Sequence, residues 1–235
     1  SSAASDVYKR QGSRNSVGEA LTNIIWAPLK NGLNSVSLSA NWMWPANNIG
    51  ENNRLYTAVK ACSDFCIELG INVPTGKDSM SMKQKYKTGE VLSPGTVIIS
   101  ATAEVSDVSK CVEPFFKKFN SNIYYIDMSS CVLNLGGSAL MQSNNKIGNK
   151  SNDILNAKYF KKVFNVIQKL ITDEKIYSGH DVSSGGLITT ILEMSFVSSG
   201  IGLELFLNEF DENDLIKILF AENHALVIEA ETVSY

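Results

Sequence analysis

The sequence predicts a mixed α/β protein of two subdomains, each with a mixed sheet packed by helices. Segments with helical periodicity alternate with short β-branched and aromatic segments along the chain. The 235 residues are enough for one large domain or two modest ones. The composition shifts near residues 106–122, which places the boundary between the subdomains there.

The elements of the first subdomain are predicted from periodicity and from the residues that bound them. A helix is predicted over 16–26, where Ser16 and Glu19 have the spacing of a capping box. A second helix is predicted over 55–69, ending before Gly70. Strands are predicted at 35–40, 71–73 and 97–105.

The second subdomain follows a predicted connector, 107–118, which mixes helix-forming residues with a proline. Helices are predicted at 157–171, at 186–198 and near 211–220, and a short one opens at Gly136-Gly137. Strands are predicted at 123–127, at 175–180 leading into a loop, at 203–207 and at 225–229, with a polar loop at 144–156.

Composition and charge exclude several classes of function. The net charge of −3, with no basic cluster longer than a pair, argues against a nucleic-acid surface. No apolar run approaches the roughly 20 residues of a membrane span. Cys62 and Cys66 share a predicted helix face, but the spacing of a zinc site is missing. We therefore expect buried thiols, a reducing compartment and a cytoplasmic protein.

Both ends of the chain are predicted to be foreign to the natural sequence. Residues 1–11 and 232–235 resemble translated adaptor sequence from DNA library preparation. The leader has no apolar centre and is therefore no secretory signal. The natural sequence is expected to run from about Gly12 to Glu231, within a longer reading frame.

The stretch INVPTGKDSMSMK, residues 71–83, places a glycine, a lysine, a carboxylate and a hydroxyl together. It is not a P-loop, because Lys77 is followed by Asp78 and the upstream glycine is missing. Gly76 permits close backbone approach, and Lys77, Asp78 and Ser79 suit an anionic substrate. The alternative is a polar turn after a strand.

Two further groups of residues have chemistry suited to a metal or a phosphate. Glu19 and Asn23 are four apart on the first helix and offer the oxygen ligands that Mg²⁺ takes, although Glu19 could instead complete the capping box. In GHDVSSGGL, residues 179–187, Asp181 could hold a metal and the helix start could bind an anion. The alternative there is that Ser183 or Ser184 caps the helix.

Other candidates favour structural roles. The tryptophans of SANWMWPA, residues 39–46, favour core packing, and Asn41 is a possible polar contact. His180 favours a structural role, His224 has no assigned role, and Glu222 is expected to be a surface or interface carboxylate.

Six stretches of the sequence together resemble a known family. They are VGEALTN (17–23), LSANWMW (38–44), GENNRLYTAVKA (50–61), VPTGKDSMSMK (73–83), LSPGTVIISA (92–101) and GHDVSSGGLITTILEMSF (179–196). In residues and order they are similar to the large single-chain phosphoribosylformylglycinamidine synthases, glutamine-dependent amidotransferases of purine biosynthesis. The likeness spans essentially all of residues 16–231.

This resemblance implies an aminoimidazole-ribonucleotide-synthase-like fold and a place in the second of two homologous halves. The subdomains would be 12–115, incomplete at its start, and 120–231. The partners would be the first half and the glutaminase domain of the same chain. The implied reaction uses ATP, glutamine and water to convert formylglycinamide ribonucleotide to formylglycinamidine ribonucleotide. We expect the isolated chain to be inactive.

The resemblance also assigns residues to ligands. It implies Mg²⁺ ligands at Glu19, Asn23 and Asp181, ATP or ADP contacts at Gly76 and Ser183, and substrate contacts at Lys77, Asp78 and Ser79. Many family members carry an acidic residue at the position of Ser184, so this sequence departs from the family pattern beside the implied metal ligands.

Two other interpretations remain. The nucleotide site is expected to be auxiliary rather than catalytic, and this half could act only as a scaffold that its nucleotide stabilises. A remoter alternative is another ATP-dependent enzyme of the superfamily, such as a selenophosphate synthetase or a thiamine-phosphate kinase. The stretches SANWMW and GKDSMSM argue against that alternative.

Overall fold

The computed structural model describes residues 9–118, 121–198, 200 and 202–231. The helices are α1 (Lys9–Ile24), α2 (Glu51–Leu69), α3 (Ala139–Ser143), α4 (Ala157–Thr172), α5 (Gly186–Phe196) and α6 (Leu215–Phe220). The strands are β1 (Ser37–Met43), β2 (Asn72–Ser79), β3 (Lys83–Tyr86), β4 (Gly89–Leu92), β5 (Thr96–Thr102), β6 (Asn122–Asp127), β7 (Ile176–Val182) and β8 (Ala225–Ala230). The predicted tail 232–235 and most of the predicted leader lie outside the described residues.

The first sheet has the strand order β2-β1-β5, with β1 parallel to β2 and antiparallel to β5. Alternate residues of β1, Leu38 and Ala40, are buried, while Ser39 and Asn41 on the other face are partly exposed. Helices α1 and α2 pack against each other, and α1 also contacts β5. This sheet is mixed, as predicted, and β3 and β4 form a separate hairpin beside it.

The second sheet has the order β6-β8-β7 and is antiparallel throughout these three strands, which differs from the predicted mixed sheet. Its central strand β8 is buried on both faces. Leu226 and Ile228 pack in one hydrophobic cluster with α1, α2 and α4. Ala225 and Val227 pack in a second cluster with α5 and α6. Period-two alternation thus lets one strand join two layers of helices.

The hydrophobic core crosses the boundary between the two subdomains. Phe65 of α2 meets Phe160 of α4 edge to face, with ring centroids 6.0 Å apart. Val17 and Leu21 of α1 belong to the same buried cluster as Ile228 of β8. Helix α1 is therefore fixed by residues of both subdomains, which determines where its polar residues lie.

Most of the predicted elements are confirmed. Helices α2, α4 and α5 and strands β5, β6 and β8 occur within a few residues of their predicted ranges. Helix α2 ends at Gly70, whose φ of 74° is left-handed, as the glycine predicted. The connector after β5 contains only a short 3₁₀ turn, Val108–Lys110.

Other predictions about the elements are wrong. Helix α1 begins by Lys9, so Ser16 lies inside it and donates to Gly12 O at 2.9 Å instead of forming a capping box. Strand β2 continues through Ser79, so the stretch from Gly76 is extended strand rather than a turn. Residues 203–207 form no strand, and α3 begins at Ala139, later than predicted.

Candidate functional site

A cavity of about 410 Å³, referred to below as the cleft, lies between α1, the start of β5 and the loops of the second subdomain. Its lining is mostly small and polar: Gly12, Asn15, Ser16, Glu19, Thr96, Val97, Ile98, Asn134, Gly136, Gly137, Ser138, Ser151, Asn152, Ser183, Ser184, Glu222 and His224. Two of the predicted site residues, Glu19 and Ser183, therefore line one cavity although 164 positions separate them.

A direct hydrogen bond joins the two sides of the cleft. Ser183 Oγ donates to Glu19 Oε1 at 2.6 Å. On α1, the amide nitrogen of Asn23 donates to the Glu19 backbone carbonyl at 2.7 Å and approaches Oε1 at 3.3 Å. Both contacts use the Asn23 nitrogen, so its amide oxygen is the atom suited to a cation. The predicted pairing of Glu19 with Asn23 on one helix face is confirmed as geometry.

Asp181 lies near the end of β7 and is 6% exposed. Trp26 Nε1 donates to Asp181 Oδ1 at 3.2 Å. The indole reaches it by lying over Gly179, where an added Cβ would come within 2.2 Å of the Trp26 ring. Burial raises the pKa of Asp181 above its ordinary value, and the charge of Glu19 raises it further, against the hydrogen bond from Trp26.

These carboxylates fit a divalent cation. A buried carboxylate whose pKa is raised by burial and by a second carboxylate is poorly compensated by protein groups alone. Oxygen donors of this kind are the ligands that Mg²⁺ prefers. Among the described residues no group of three or more His, Cys, Asp or Glu side chains is placed to hold a metal. Glu19 lines the cleft, whereas Asn23 and Asp181 are not among its lining residues, so the metal set of Glu19, Asn23 and Asp181 stays a prediction.

The start of α5 is built differently from the predicted cap. Gly185 occupies the N-cap position with a left-handed φ of 95°. As a glycine it has no side chain that could cap the helix. The Ser183 side chain turns to Glu19, while its carbonyl accepts from Gly186 N at 3.0 Å. The Gly185 N–H donates to Glu222 Oε1 at 2.8 Å. The alternative interpretation, a serine cap, is therefore wrong. The Glu222 carboxylate bonds to the helix start, where the sequence suggested that an anion could bind.

Sequence reasoning missed the role of Glu222. Its Oε1 also accepts from Ala139 N at 2.7 Å, so one oxygen joins two helix starts. The partners lie 83 and 37 positions away in the chain, beyond any local pattern. The expectation of a surface or interface carboxylate is wrong, because Glu222 lines the cleft and bonds within the fold.

The candidate site residues of the 71–83 stretch, Gly76 to Ser79, are not among the residues that line the cleft and lie on the edge strand β2. Lys77 pairs in register with Asn41 and Asp78 pairs with Trp42, so Lys77 and Ser79 face one side of the sheet while Gly76 and Asp78 face the other. Lys77 Nζ donates to Ser79 Oγ at 2.7 Å. A Cβ on Gly76 would lie 2.2 Å from the Ala40 carbonyl oxygen. This clash explains why a glycine is needed at this position.

The remaining candidates divide between core and cleft. Trp44 is buried and donates to Glu51 Oε2 at 2.9 Å, which confirms core packing. His180 Nδ1 lies 2.8 Å from the Asp181 carbonyl oxygen. His224 is 4% exposed, burial lowers its pKa, and neither ring nitrogen has a hydrogen-bond partner among the described residues. Cys62 and Cys66 are buried thiols, as predicted.

Comparisons with known proteins place these features in a family. Residues 3–104 match the family model described as FGAR-AT PurM_N-like domain, and residues 123–231 match AIR synthase related protein, C-terminal domain. A probable phosphoribosylformylglycinamidine synthase, chloroplastic/mitochondrial, from Arabidopsis thaliana is 41% identical over 92% of the chain. The phosphoribosylformylglycinamidine synthase of Dictyostelium discoideum is 40% identical over 91%. The chain belongs to the phosphoribosylformylglycinamidine synthase family.

The chain spans 15% and 16% of the lengths of these two synthase relatives. Solved structures show the same fold at low identity. T. maritima PurL complexed with FGAR matches with a TM-score of 0.68 at 11% identity, covering 97% of this chain and 36% of that chain. T. maritima PurL complexed with ATP matches with a TM-score of 0.62 at 11% identity, covering 98% of this chain and 34% of that chain. The predicted aminoimidazole-ribonucleotide-synthase-like fold is thereby confirmed. None of the described helices is long and apolar enough to span a membrane.

Proposed function

We propose that the chain is the part of a phosphoribosylformylglycinamidine synthase that binds Mg²⁺ and an adenine nucleotide in the cleft. The observation that carries the proposal is the joining of Glu19 and Ser183 across the cleft, next to the buried Asp181. Family membership and the structural neighbours complexed with ATP and ADP support it. In the full-length protein the reaction would be the ATP- and glutamine-dependent conversion of formylglycinamide ribonucleotide.

The metal would be held by the carboxylates of Glu19 and Asp181 and by the amide oxygen of Asn23. When bound, Mg²⁺ supplies positive charge for the phosphate oxygens of the nucleotide. Ser183 would orient Glu19 by the hydrogen bond at 2.6 Å and would lie beside the phosphates. Trp26 holds the Asp181 carboxylate toward α1 and shields one of its oxygens. Glu19 and Asp181 are each held by a partner from another part of the chain, and Asn23 is held by Glu19 on the same helix. These bonds would preorganise the site.

We propose substrate contacts only for Lys77 and Ser79 among the residues of β2. These two face the side of the sheet that carries Asn41, which would bring a cation, a hydroxyl and an amide to one anionic substrate. Asp78 faces the other side beside Trp42, and Gly76 has a packing role. In the full-length enzyme, the first half would cover the edge of β2, and the glutaminase domain would supply ammonia.

Two roles for the bound nucleotide remain to be separated. In one, the cleft is an auxiliary Mg-ADP site that stabilises the fold, and the chemistry occurs elsewhere in the full-length enzyme. In the other, the cleft takes part in turnover. We favour the auxiliary role, because the resemblance assigns this metal set to the second of two nucleotide sites. The isolated chain would then have neither ligase nor glutaminase activity.

The test is Asp181→Asn in the full-length enzyme, with Asp64→Asn on the exposed face of α2 as the matched control. Turnover at saturating substrates, nucleotide content after purification and melting temperature are measured together. The auxiliary role predicts loss of bound nucleotide and a lower melting temperature while the folded enzyme still turns over. Lost turnover with unchanged nucleotide content would assign the cleft to catalysis. Unchanged nucleotide content and unchanged turnover would refute the metal site.

The expected cytoplasmic location stays a prediction. The Arabidopsis relative carries the words chloroplastic/mitochondrial in its name. Fractionation of cells that express the tagged full-length protein would test it, and recovery in an organelle would contradict it.

A further inference from the structure

One carboxylate oxygen in the cleft joins two turns that come from distant parts of the chain. Glu222 Oε1 accepts from the backbone N–H of Ala139 at 2.7 Å and from that of Gly185 at 2.8 Å. The first amide follows the Gly136–Ser138 turn, and the second opens α5, directly after Ser183 and Ser184. Both turns line the cleft. An ionised acceptor strengthens both bonds, and a negative charge at the start of α5 is favoured by the helix dipole.

Glu222 is itself anchored from α1. Its backbone carbonyl accepts a hydrogen bond from the side-chain nitrogen of Asn152. The side-chain nitrogen of Asn15 on α1 in turn donates to Asn152 O at 3.1 Å and to Asn152 Oδ1 at 3.0 Å. A continuous set of hydrogen bonds therefore runs from α1, which carries Glu19, through Asn152 to Glu222 and the two turns. This network would help to set the distance between the proposed metal ligand Glu19 and the two turns.

The backbone donors of these turns are already used inside the protein. Gly136 N donates to Lys150 O and Gly137 N to Ile147 O, both at 2.7 Å. Gly186 N donates to Ser183 O at 3.0 Å, and Gly185 N is bonded to Glu222. These four amides consequently offer no free hydrogen to a phosphate. At this wall of the cleft, the metal and the Ser138 hydroxyl would hold a nucleotide, because Ser138 Oγ only accepts a bond, from Met141 N. Ser183 would join them once the metal binds Glu19 and frees the serine proton.

We infer that Glu222 is a positioning residue for the nucleotide, which fixes the two turns so that Ser138 and Ser183 face the same ligand. The inference rests on the proposed function, since it assigns a role within the proposed nucleotide site. Glu222 would not touch the ligand and would not be displaced by its phosphates. Because both N–H groups donate to the same atom, Oε1, the position of this acceptor oxygen matters in addition to the negative charge.

The experiment compares Glu222→Ala, Glu222→Gln and Glu222→Asp in the full-length protein. Binding of ADP at saturating Mg²⁺ is measured by calorimetry after any retained nucleotide has been removed. Glu222→Ala is expected to weaken binding about 10-fold to 100-fold, the range for loss of a residue that supports a ligand-binding group. Glu222→Gln keeps an oxygen acceptor and is expected to stay within about 3-fold of the wild type. Glu222→Asp, one methylene shorter, is expected to fall between them.

A stability-matched control separates positioning from general loosening. Ile191→Val removes one buried methyl from α5 and is expected to lower the stability of the protein. Melting curves compare this loss with the loss caused by Glu222→Ala. Equal weakening of ADP binding by Ile191→Val would overturn the inference. So would unchanged binding in Glu222→Ala, or tighter binding, which would make the carboxylate a competitor of the phosphates. If Glu222→Ala fails to fold, wild-type affinity in Glu222→Asp would overturn the inference. Absence of ADP binding by the wild type would refute the proposed function itself.

Discussion

The cleft and strand β2 both carry polar residues suited to a nucleotide or an anionic substrate, but they are organised differently. In the cleft, Glu19 of α1 and Ser183 after β7 are joined by a hydrogen bond. Asp181, two residues before Ser183, is buried and bonded to Trp26. On β2, the polar side chains make a local contact: Lys77 donates to Ser79, two residues away, and both lie at the edge of a sheet.

This difference indicates which group of polar side chains is held in place by contacts between distant parts of the chain. The side chains of Glu19, Ser183 and Asp181 are already held by hydrogen bonds, so the proposed ligand would lose little free energy to their reorganisation. The β2 residues are exposed and would become a site only when another surface covers them. Substitutions in the cleft should therefore affect nucleotide binding strongly, whereas those on β2 should affect substrate use in the full-length enzyme.

The largest effect is expected for Glu19→Gln. Loss of one of two carboxylates removes charge that a divalent cation needs, so Mg-ADP affinity should fall by roughly 100-fold or more, above the usual cost of losing a supporting contact. Calorimetry on the full-length protein measures it. Lys77→Gln on β2 is the control and should leave this affinity unchanged. A large loss in Lys77→Gln would mean that the two regions form one site.

Gly76→Ala is expected to have a smaller effect, and on folding stability rather than on nucleotide affinity. The new Cβ would lie 2.2 Å from the Ala40 carbonyl oxygen, so β2 must shift against β1. Overpacking of this kind typically costs about 1–3 kcal/mol. Chemical denaturation measures the change, with Ser79→Ala as a control on the same strand. If Gly76→Ala keeps full stability but loses nucleotide, then the glycine contacts the ligand as the sequence suggested.

The buried carboxylate predicts a pH effect in the absence of metal. The pKa of Asp181 is raised above its ordinary 3.8, so its contribution to stability is present at low pH and is lost as pH rises through the raised value. Asp181→Asn should therefore be more stable than the wild type at neutral pH without Mg²⁺, and this advantage should disappear near pH 4.

Melting curves from pH 4 to pH 8, with EDTA and then with Mg²⁺ and ADP, measure this effect. Added Mg²⁺ and ADP should stabilise the wild type and leave Asp181→Asn unchanged. A variant less stable than the wild type in EDTA at neutral pH would contradict the account of a destabilised carboxylate.

The smallest effect on stability is expected for Ser79→Ala. Ser79 lies on the edge strand, and its described side-chain bond is the one accepted from Lys77, so stability should change by no more than about 0.5 kcal/mol. The KM of the full-length enzyme for formylglycinamide ribonucleotide should nevertheless rise. Steady-state kinetics measure it, and an unchanged KM would remove Ser79 from the substrate site.

Local patterns predicted the elements whose signal is strong. The helix α4 and the strand β8 were predicted within one residue of their ends, because an apolar face or an apolar run specifies them locally. Strand β2 was underestimated, since a polar edge strand lacks alternation and is defined by its pairing with β1. The start of α1 was misplaced because a serine inside a helix can bond to a carbonyl four residues earlier, as Ser16 does.

The candidate site was predictable only in part for the same reason. Spacing on one helix suggested Glu19 and Asn23, and the chemistry of the 179–187 stretch suggested Asp181. The resemblance added Ser183 as a nucleotide contact. Glu222 could not be found, because its two partners are distant in the chain and its acceptor role exists only in the folded state. The separation of Lys77 from Asp78 likewise follows from the strand geometry of residues that looked like a turn.

The central claim is that Mg²⁺ and a nucleotide bind in the cleft through Glu19 and Asp181. The most direct test is a crystal structure of the full-length protein grown with Mg²⁺ and ADP. The account predicts a metal at about 2.0–2.1 Å from a carboxylate oxygen of each residue, with the nucleotide beside Ser183. Nucleotide bound with its metal elsewhere, or an empty cleft with both carboxylates bonded only to protein, would contradict it.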